Sequence, residues 1–530
     1  MDRKFDFVVI GAGTAGCVLA ARLSEGDLRV LLLEAGGEAR SVWTRIPAGY
    51  AKLLSSARYN WLYRTEPESA LGNRVLDVPA GRAIGGTGVI NGMIYVRGQA
   101  ADYDDWAAAG NDGWSYADVL PWFKRSEANT RGADAFHGVD GPMIVTDPTP
   151  DALSRAFVEA GAEAGWRRNT DFNGADQEGV GFYQLNLRNG SRESTARAFL
   201  HEARERKNLT IVTGAHIDRI IIDRRTAVGV EYVRDGRVER VDAAEIVLAA
   251  GAFGSPQVLM RSGIGSAGRL RALGIAVVAD LPGVGGNLQN HFRASIVVRC
   301  RPGYSLNEAM RSFAGRMRLG AQYLLFRRGA LATGTSAGGF LRSSPTLDRP
   351  NVQMTCWNYS VAKRDARGLS LHAFPAFTIN AVILKPKSRG SISLRNRDPA
   401  APPVIRYRHL AESSDTATLV AALRQVRIIA AQRTLAHLST NETAPGPACA
   451  GDGDLAAYAR ANGSSVYHPV GTCRMGNDPL AVVDARLRVH GIERLRVADA
   501  SIMPTIVAGN TNAPTVMIAE RASAWILGLS

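Results

Sequence analysis

The chain has 530 residues, 46% hydrophobic and 21% charged, the composition of a globular protein too long for one core, so two or more domains are expected. It contains no apolar run long enough to span a bilayer, and its first apolar stretch reads as a domain strand rather than a secretion signal, so the cytoplasm is the expected compartment. The net charge of +14, from 63 Lys and Arg against 49 Asp and Glu, is spread along the chain without interleaved aromatics; this reads first as an ordinary solvated surface, argues against nucleic acid as a partner and leaves loose attachment to an anionic inner-membrane surface as the alternative.

The first predicted element is a strand, Phe5-Asp6-Phe7-Val8-Val9-Ile10. It runs into Gly11-Ala12-Gly13-Thr14-Ala15-Gly16, then into a helical segment from Cys17 to Leu23, then into a second apolar run, Val30 to Leu33, closed by Glu34. Strand, glycine turn, helix, strand and acid in this order predict a dinucleotide site. Gly11 permits the turn, Gly13 lets backbone approach a pyrophosphate, and Gly16 lets the helix pack on the strand. The helix N-terminus presents free N–H groups to phosphate, and Glu34 is placed to accept hydrogen bonds from a ribose.

Further on, Gly81-Arg82-Ala83-Ile84-Gly85-Gly86-Thr87-Gly88 leads into Val89-Ile90-Asn91-Gly92-Met93-Ile94. So many glycines before an apolar run predict backbone wrapped around a flat ligand. Glu245 to Ala252 and Arg494 to Ala500 each read as a buried strand ending in small residues, returning to the first domain. Between them the texture changes. Ala376 to Leu384 alternates and is bounded by Pro and Gly, and Thr418 to Val426 is helical. The expected architecture is α/β (α+β overall): a Rossmann-like domain made of residues 1–150, 195–300 and 455–530, with an antiparallel sheet and helices inserted as residues 151–194 and 301–454. The cleft between two such domains is where a ligand is expected.

Three further stretches are distinctive: Gly251-Ala252-Phe253-Gly254-Ser255-Pro256, Tyr467-His468-Pro469-Val470-Gly471-Thr472, and Gly509-Asn510-Thr511-Asn512-Ala513-Pro514-Thr515. With the opening turn and the glycine segment, they resemble the glucose–methanol–choline flavoprotein oxidoreductases, from about residue 5 to 525. Within that family the chain is most similar to choline-dehydrogenase-like and medium-chain alcohol dehydrogenases. The resemblance implies FAD, and FAD-dependent oxidation of an alcohol (a CH–OH donor) to an aldehyde or ketone. It carries Gly11, Gly13, Thr14, Ala15, Gly16, Glu34 and Ala35 onto the ADP half. Arg82, Gly85, Gly86, Asn91, Gly92, Met93 and Ile94 fall on the flavin side. Ile217 falls where backbone meets the adenine, Asp499 near the ribityl chain, and Ala250, Tyr467, Ala500 and Thr515 also against the cofactor. His468 and Asn512 become the catalytic pair, Asn512 touching FAD as well, with Asn510 as its near neighbour and the other histidines structural or exposed.

Histidine's ordinary pKa near 6.5 suits it to take the hydroxyl proton, and an amide N–H suits the developing alkoxide. Some relatives bind flavin covalently through a histidine at the position of Ile90, so FAD is expected to be non-covalent. Many carry a glutamate where Ser336 stands, so a neutral primary alcohol is expected over choline. The partners are then the alcohol and an electron acceptor, whether a quinone, another redox carrier or O2. A flavin-fold lyase or photodecarboxylase is the alternative. Five scattered cysteines without a CxxC pair, and nine histidines without HExxH spacing, give no metal site. Gly334-Thr335-Ser336-Ala337-Gly338 fits the serine-hydrolase pattern but lacks the strand and helix such an elbow needs.

Overall fold

The computed structural model describes residues 4–333, 335–365 and 368–529. The opening segment forms β1 (Lys4–Ile10), α1 (Thr14–Leu23) and β2 (Val30–Glu34). β1 and β2 pair in parallel, Phe7 opposite Val30 and Ile10 opposite Leu33. Val8, Val9, Ile10 and Val30 to Leu33 are buried, as a sheet covered on both faces demands. The sheet continues on one side through Leu209–Thr213, parallel to β2. On the other side lies Arg237–Leu248, parallel to β1. The first half of that long strand pairs antiparallel with Thr226–Arg234, which in turn pairs with His216–Asp223. Its last residues pair in parallel with Leu495–Val497. The late segment therefore does return to the first sheet.

α1 packs against the C-terminal helix Asn512–Ile526, whose residues from Ala513 to Ala524 are all buried. Glu520 is fully buried inside this contact, and Arg22 of α1 meets it at 2.7 Å. A buried carboxylate needs such a partner to remain charged.

The second sheet is antiparallel, in the order Ser439–Ala444, Phe292–Cys300, Ala376–Ile383, Val352–Trp357, Ala337–Leu341 and Gly179–Phe182, with Ser464–Ser465 against Phe292 and Arg293. The helix Ser413–Ala430 covers it through Leu419, Leu423 and Val426, spaced i, i+4, i+7 on one face. The boundaries drawn from sequence need one correction. Phe292–Cys300 and Ser464–Ser465, assigned to the nucleotide domain, hydrogen-bond into the second sheet. Their alternation fits either domain, and only the pairing decides.

Candidate active site

One cavity of about 910 Å³ runs from the C-terminal ends of β1 and β2 to the second sheet. That end of a parallel sheet is where ligands are expected. At its first end Gly11 has a φ of +95°, and a Cβ there would lie 2.8 Å from the Ala249 carbonyl oxygen. A Cβ on Gly16 would lie 1.7 Å from the oxygen of Gly11, so this glycine serves the packing of α1 on the turn and does not line the cavity. A Cβ on Gly13 would meet nothing nearer than Gly86 Cα at 4.0 Å. It would project into the cavity instead. Thr14 and Ala15 open α1 beside it.

Glu34 ends β2 with its carboxylate buried, accepting the Ala12 N–H at 2.9 Å and the Gly36 N–H at 2.7 Å. Burial pushes its pKa up from 4.5 to about 6, against the pull of those two N–H groups and of Arg82. Ala35 and Ile217 line the same end.

The glycine segment lies over the turn. The Gly85 N–H donates to the Ala12 carbonyl at 2.7 Å, and a Cβ on Gly86 would come within 2.6 Å of Gly13 Cα. Gly86, Asn91, Gly92, Met93 and Ile94 line the cavity, whereas Gly85 supports it from behind. Arg82 departs from expectation: its guanidinium stacks on Trp61 at 4.7 Å and borders a separate cleft with Ala35 and Gly36. Ala250, Asp499 and Ala500 line the middle. Asp499 accepts from Gly251 N–H at 2.8 Å and from the Ser255 hydroxyl at 2.6 Å.

At the far end, Tyr467 and His468 enter from the loop after Ser464–Ser465. The His468 N–H is tied to Asn290 Oδ1 at 2.8 Å. Its ring is held from both sides. Nδ1 lies 3.0 Å from His291 Nδ1, and Nε2 lies 3.1 Å from Asn510 Nδ2. His291 is fully buried and its own Nε2 meets the Leu384 carbonyl at 3.0 Å. A carbonyl can only accept, so His291 carries its proton on Nε2 and offers a lone pair at Nδ1. His468 must then donate from Nδ1, which leaves the lone pair of Nε2 facing Asn510 and the cavity. Desolvation lowers the His468 pKa from 6.5 to about 4, so the ring is neutral at neutral pH. Gln353 Nε2 donates to Asn510 Oδ1 at 3.3 Å and turns the amide N–H toward His468.

Here the sequence expectation is corrected. Asn510, not Asn512, stands against His468. Asn512 accepts the Thr14 hydroxyl at 3.0 Å, on the nucleotide side of the cavity, where Thr515 also lies. His291, expected to be structural, orients the site. No local pattern marked it, because its partner lies 177 residues away.

The wall opposite is aromatic and cationic. Trp357 and Tyr359 stack at 5.2 Å, the Tyr50 and Tyr359 hydroxyls meet at 2.6 Å, and the Arg293 guanidinium lies 4.4 Å above Trp357. Arg293 donates to Ser464 Oγ and Asn380 Oδ1, both at 3.1 Å. Ser336 is buried away from the cavity, its hydroxyl 2.8 Å from that of Ser154. Ala337–Leu341 follows it as a strand, so the hydrolase pattern has no elbow, and its Gly334 lies outside the described residues.

A dinucleotide turn joined through one cavity to a paired histidine and amide defines a nucleotide-cofactor oxidoreductase. The chain belongs to the GMC oxidoreductase family: one family model matches residues 5–293 and a second matches residues 386–519. Among curated relatives it is 41% identical to an alcohol dehydrogenase [acceptor] of Pseudomonas putida, over 99% of this chain and 96% of the relative. It is 42% identical to an oxygen-dependent choline dehydrogenase of Stenotrophomonas maltophilia (strain K279a), over 99% and 95%. Among solved structures it matches pyridoxine 4-oxidase from Mesorbium loti with a TM-score of 0.90 and 32% identity, covering 99% of each chain. The cofactor of this family is FAD, and the chain is an FAD-dependent oxidoreductase acting on alcohols. The open face of Gly13, the close Gly86 cradle and the buried Glu34 carboxylate fit an ADP-ribose moiety.

Proposed function

We propose that the protein oxidises a primary alcohol bound between His468, Asn510 and the Trp357 wall. The observation that carries this reading is the hydrogen-bonded chain from the Leu384 carbonyl through His291 and His468 to Asn510. It fixes one tautomer and leaves a single basic nitrogen at the cavity. An alcohol hydroxyl entering there takes the place of the Asn510 contact and donates to His468 Nε2. As the proton moves to His468, Asn510 Nδ2 donates to the oxygen, which gathers negative charge. His291 Nδ1 keeps the imidazole oriented and accepts the Nδ1 proton's hydrogen bond more strongly as the ring becomes cationic. Bound FAD supplies the acceptor for the hydride leaving the carbinol carbon. The Asn512–Thr14 bond ties the start of the last helix to the nucleotide turn and serves cofactor placement rather than the proton.

FAD is held without a covalent bond, because the family's attachment position is the hydrocarbon Ile90, buried in the cavity wall. The preference for a neutral alcohol over choline now rests on Arg293, not on Ser336. A cation in the wall repels a quaternary ammonium, and desolvating that ligand needs an anion or an uncrowded aromatic cage. Here the Trp357 face already carries a guanidinium.

Anaerobic mixing of purified yellow protein with hexanol, benzyl alcohol and choline tests the reading. Bleaching by the neutral alcohols, with choline slower, is expected. A flavin that no alcohol bleaches would move the protein to the lyase or photodecarboxylase branch. A flavin that choline bleaches fastest would refute the Arg293 argument alone.

A further inference from the structure

The cationic surplus of the chain is scattered in sequence, yet the fold gathers part of it around an exposed apolar helix. Phe313–Phe326 has one buried residue among its fourteen, Tyr323. Phe313 is 72% exposed, Met317 58%, Leu324 69%, Leu325 73% and Phe326 67%. Phe313, Met317 and Leu324 stand at i, i+4 and i+11 and share one face of the helix. Single exposed apolar residues need no explanation, but three on one helix face, with Leu325 and Phe326 exposed at the helix end beside them, mark an interaction surface. Arg316 and Arg318 flank that face, Arg311 precedes it, and Arg327 and Arg328 follow it. None of the five is ion-paired to an acid among the described residues, and the sequence has no Asp or Glu between Glu308 and Asp348. No described helix is long and apolar enough to cross a membrane.

We infer that this helix lies on an anionic phospholipid bilayer, its apolar face in the headgroup region and its arginines on lipid phosphates. Apolar side chains and flanking cations on one helix are the pattern of an interfacial anchor. A second copy of the chain is a poor occupant, because the same arginines would face each other across the contact. The anchor is also joined to the cavity. Leu331, just past the helix, accepts the Ala48 N–H at 3.2 Å, and Tyr50 and Leu54 of that segment line the cavity. Seating the helix thus brings the cavity wall at Tyr50 and Leu54 close to the lipid surface.

The test is flotation of the FAD-loaded enzyme with vesicles of phosphatidylcholine alone or mixed with phosphatidylglycerol. The enzyme should float only with the anionic vesicles, and added salt should release it. Arg316→Gln/Arg318→Gln should weaken partitioning roughly fivefold for each arginine removed. Phe313→Ser/Met317→Ser/Leu324→Ser should abolish flotation while keeping flavin content and dye-linked activity. Wild-type enzyme that stays unbound, or variants that bind like wild type, would overturn the inference. So would a wild-type dimer that the serine variant turns into a monomer without any vesicle binding, since the face would then belong to a second copy.

Discussion

At the scale of single residues, the site turns on which nitrogen of His468 is free. His291 settles this from behind, and Asn510 reports it from the front. His468→Ala should slow flavin reduction by roughly 10²–10⁴-fold, the range for a lost general base, with flavin content kept. Asn510→Ala should cost roughly 10²-fold, the range for a lost oxyanion donor, whereas Asn512→Ala should act mainly on FAD affinity. Rapid-reaction reduction rates beside flavin titrations separate these; a slow, fully loaded Asn512→Ala enzyme would return the role to Asn512. Because burial holds His468 near pKa 4, it is active when unprotonated, so the reduction rate should be flat through neutral pH. It should fall only as acid is added through about 4, not through 6.5. A pH-jump profile checks this. His468 was legible in the sequence because its motif is local. The choice between two asparagines two residues apart was not, since it depends on which side chain the start of the last helix turns toward Thr14. Ser336 misled for a similar reason: just ahead of the strand Ala337–Leu341 its hydroxyl turns to Ser154, while its neighbour Thr335 lines the cavity.

At the scale of elements, the glycine turn separates two reasons for having no side chain. Gly16 is needed by the protein, and we propose that Gly13 is needed by its ligand. Gly16→Ala should destabilise the fold, because its methyl would collide with the Gly11 carbonyl oxygen. Gly13→Ala should leave the stripped protein folded with an unchanged Tm, yet lower FAD affinity, because its φ of −75° suits alanine and the methyl enters the cavity. Thermal unfolding of the stripped proteins and flavin titration distinguish the two; equal losses in both variants would contradict the assignment. These elements were readable because β1, α1 and β2 follow one another within thirty-one residues, Lys4 to Glu34, and their periodicities are strong. The second sheet was readable only in type. Its strands Phe292–Cys300 and Ala376–Ile383 are far apart in sequence, and alternation does not name a partner.

At the scale of the whole molecule, one cavity links two sheets, and its two ends make opposite demands on charge. The histidine end keeps its titratable rings neutral. The β2 end buries a carboxyl that, in our proposal, the cofactor needs ionised. Between pH 4.5 and about 6 folded apoprotein holds a proton on Glu34 that the unfolded chain has released. Its stability therefore falls as pH rises through that window. Ribose hydroxyls donating to the carboxylate offset this loss, so the difference in Tm between FAD-loaded and stripped protein should widen from pH 4.5 to just above 6. Glu34→Gln should flatten that dependence; a parallel pair of Tm curves in the native protein would show that Glu34 does not meet the cofactor. It follows that newly made chains at neutral pH carry a buried charge that two backbone N–H groups and Arg82 compensate only in part until flavin arrives. The abundance of this enzyme in a cell should then track the supply of FAD, with the empty form cleared first by proteases that sample unfolded chain.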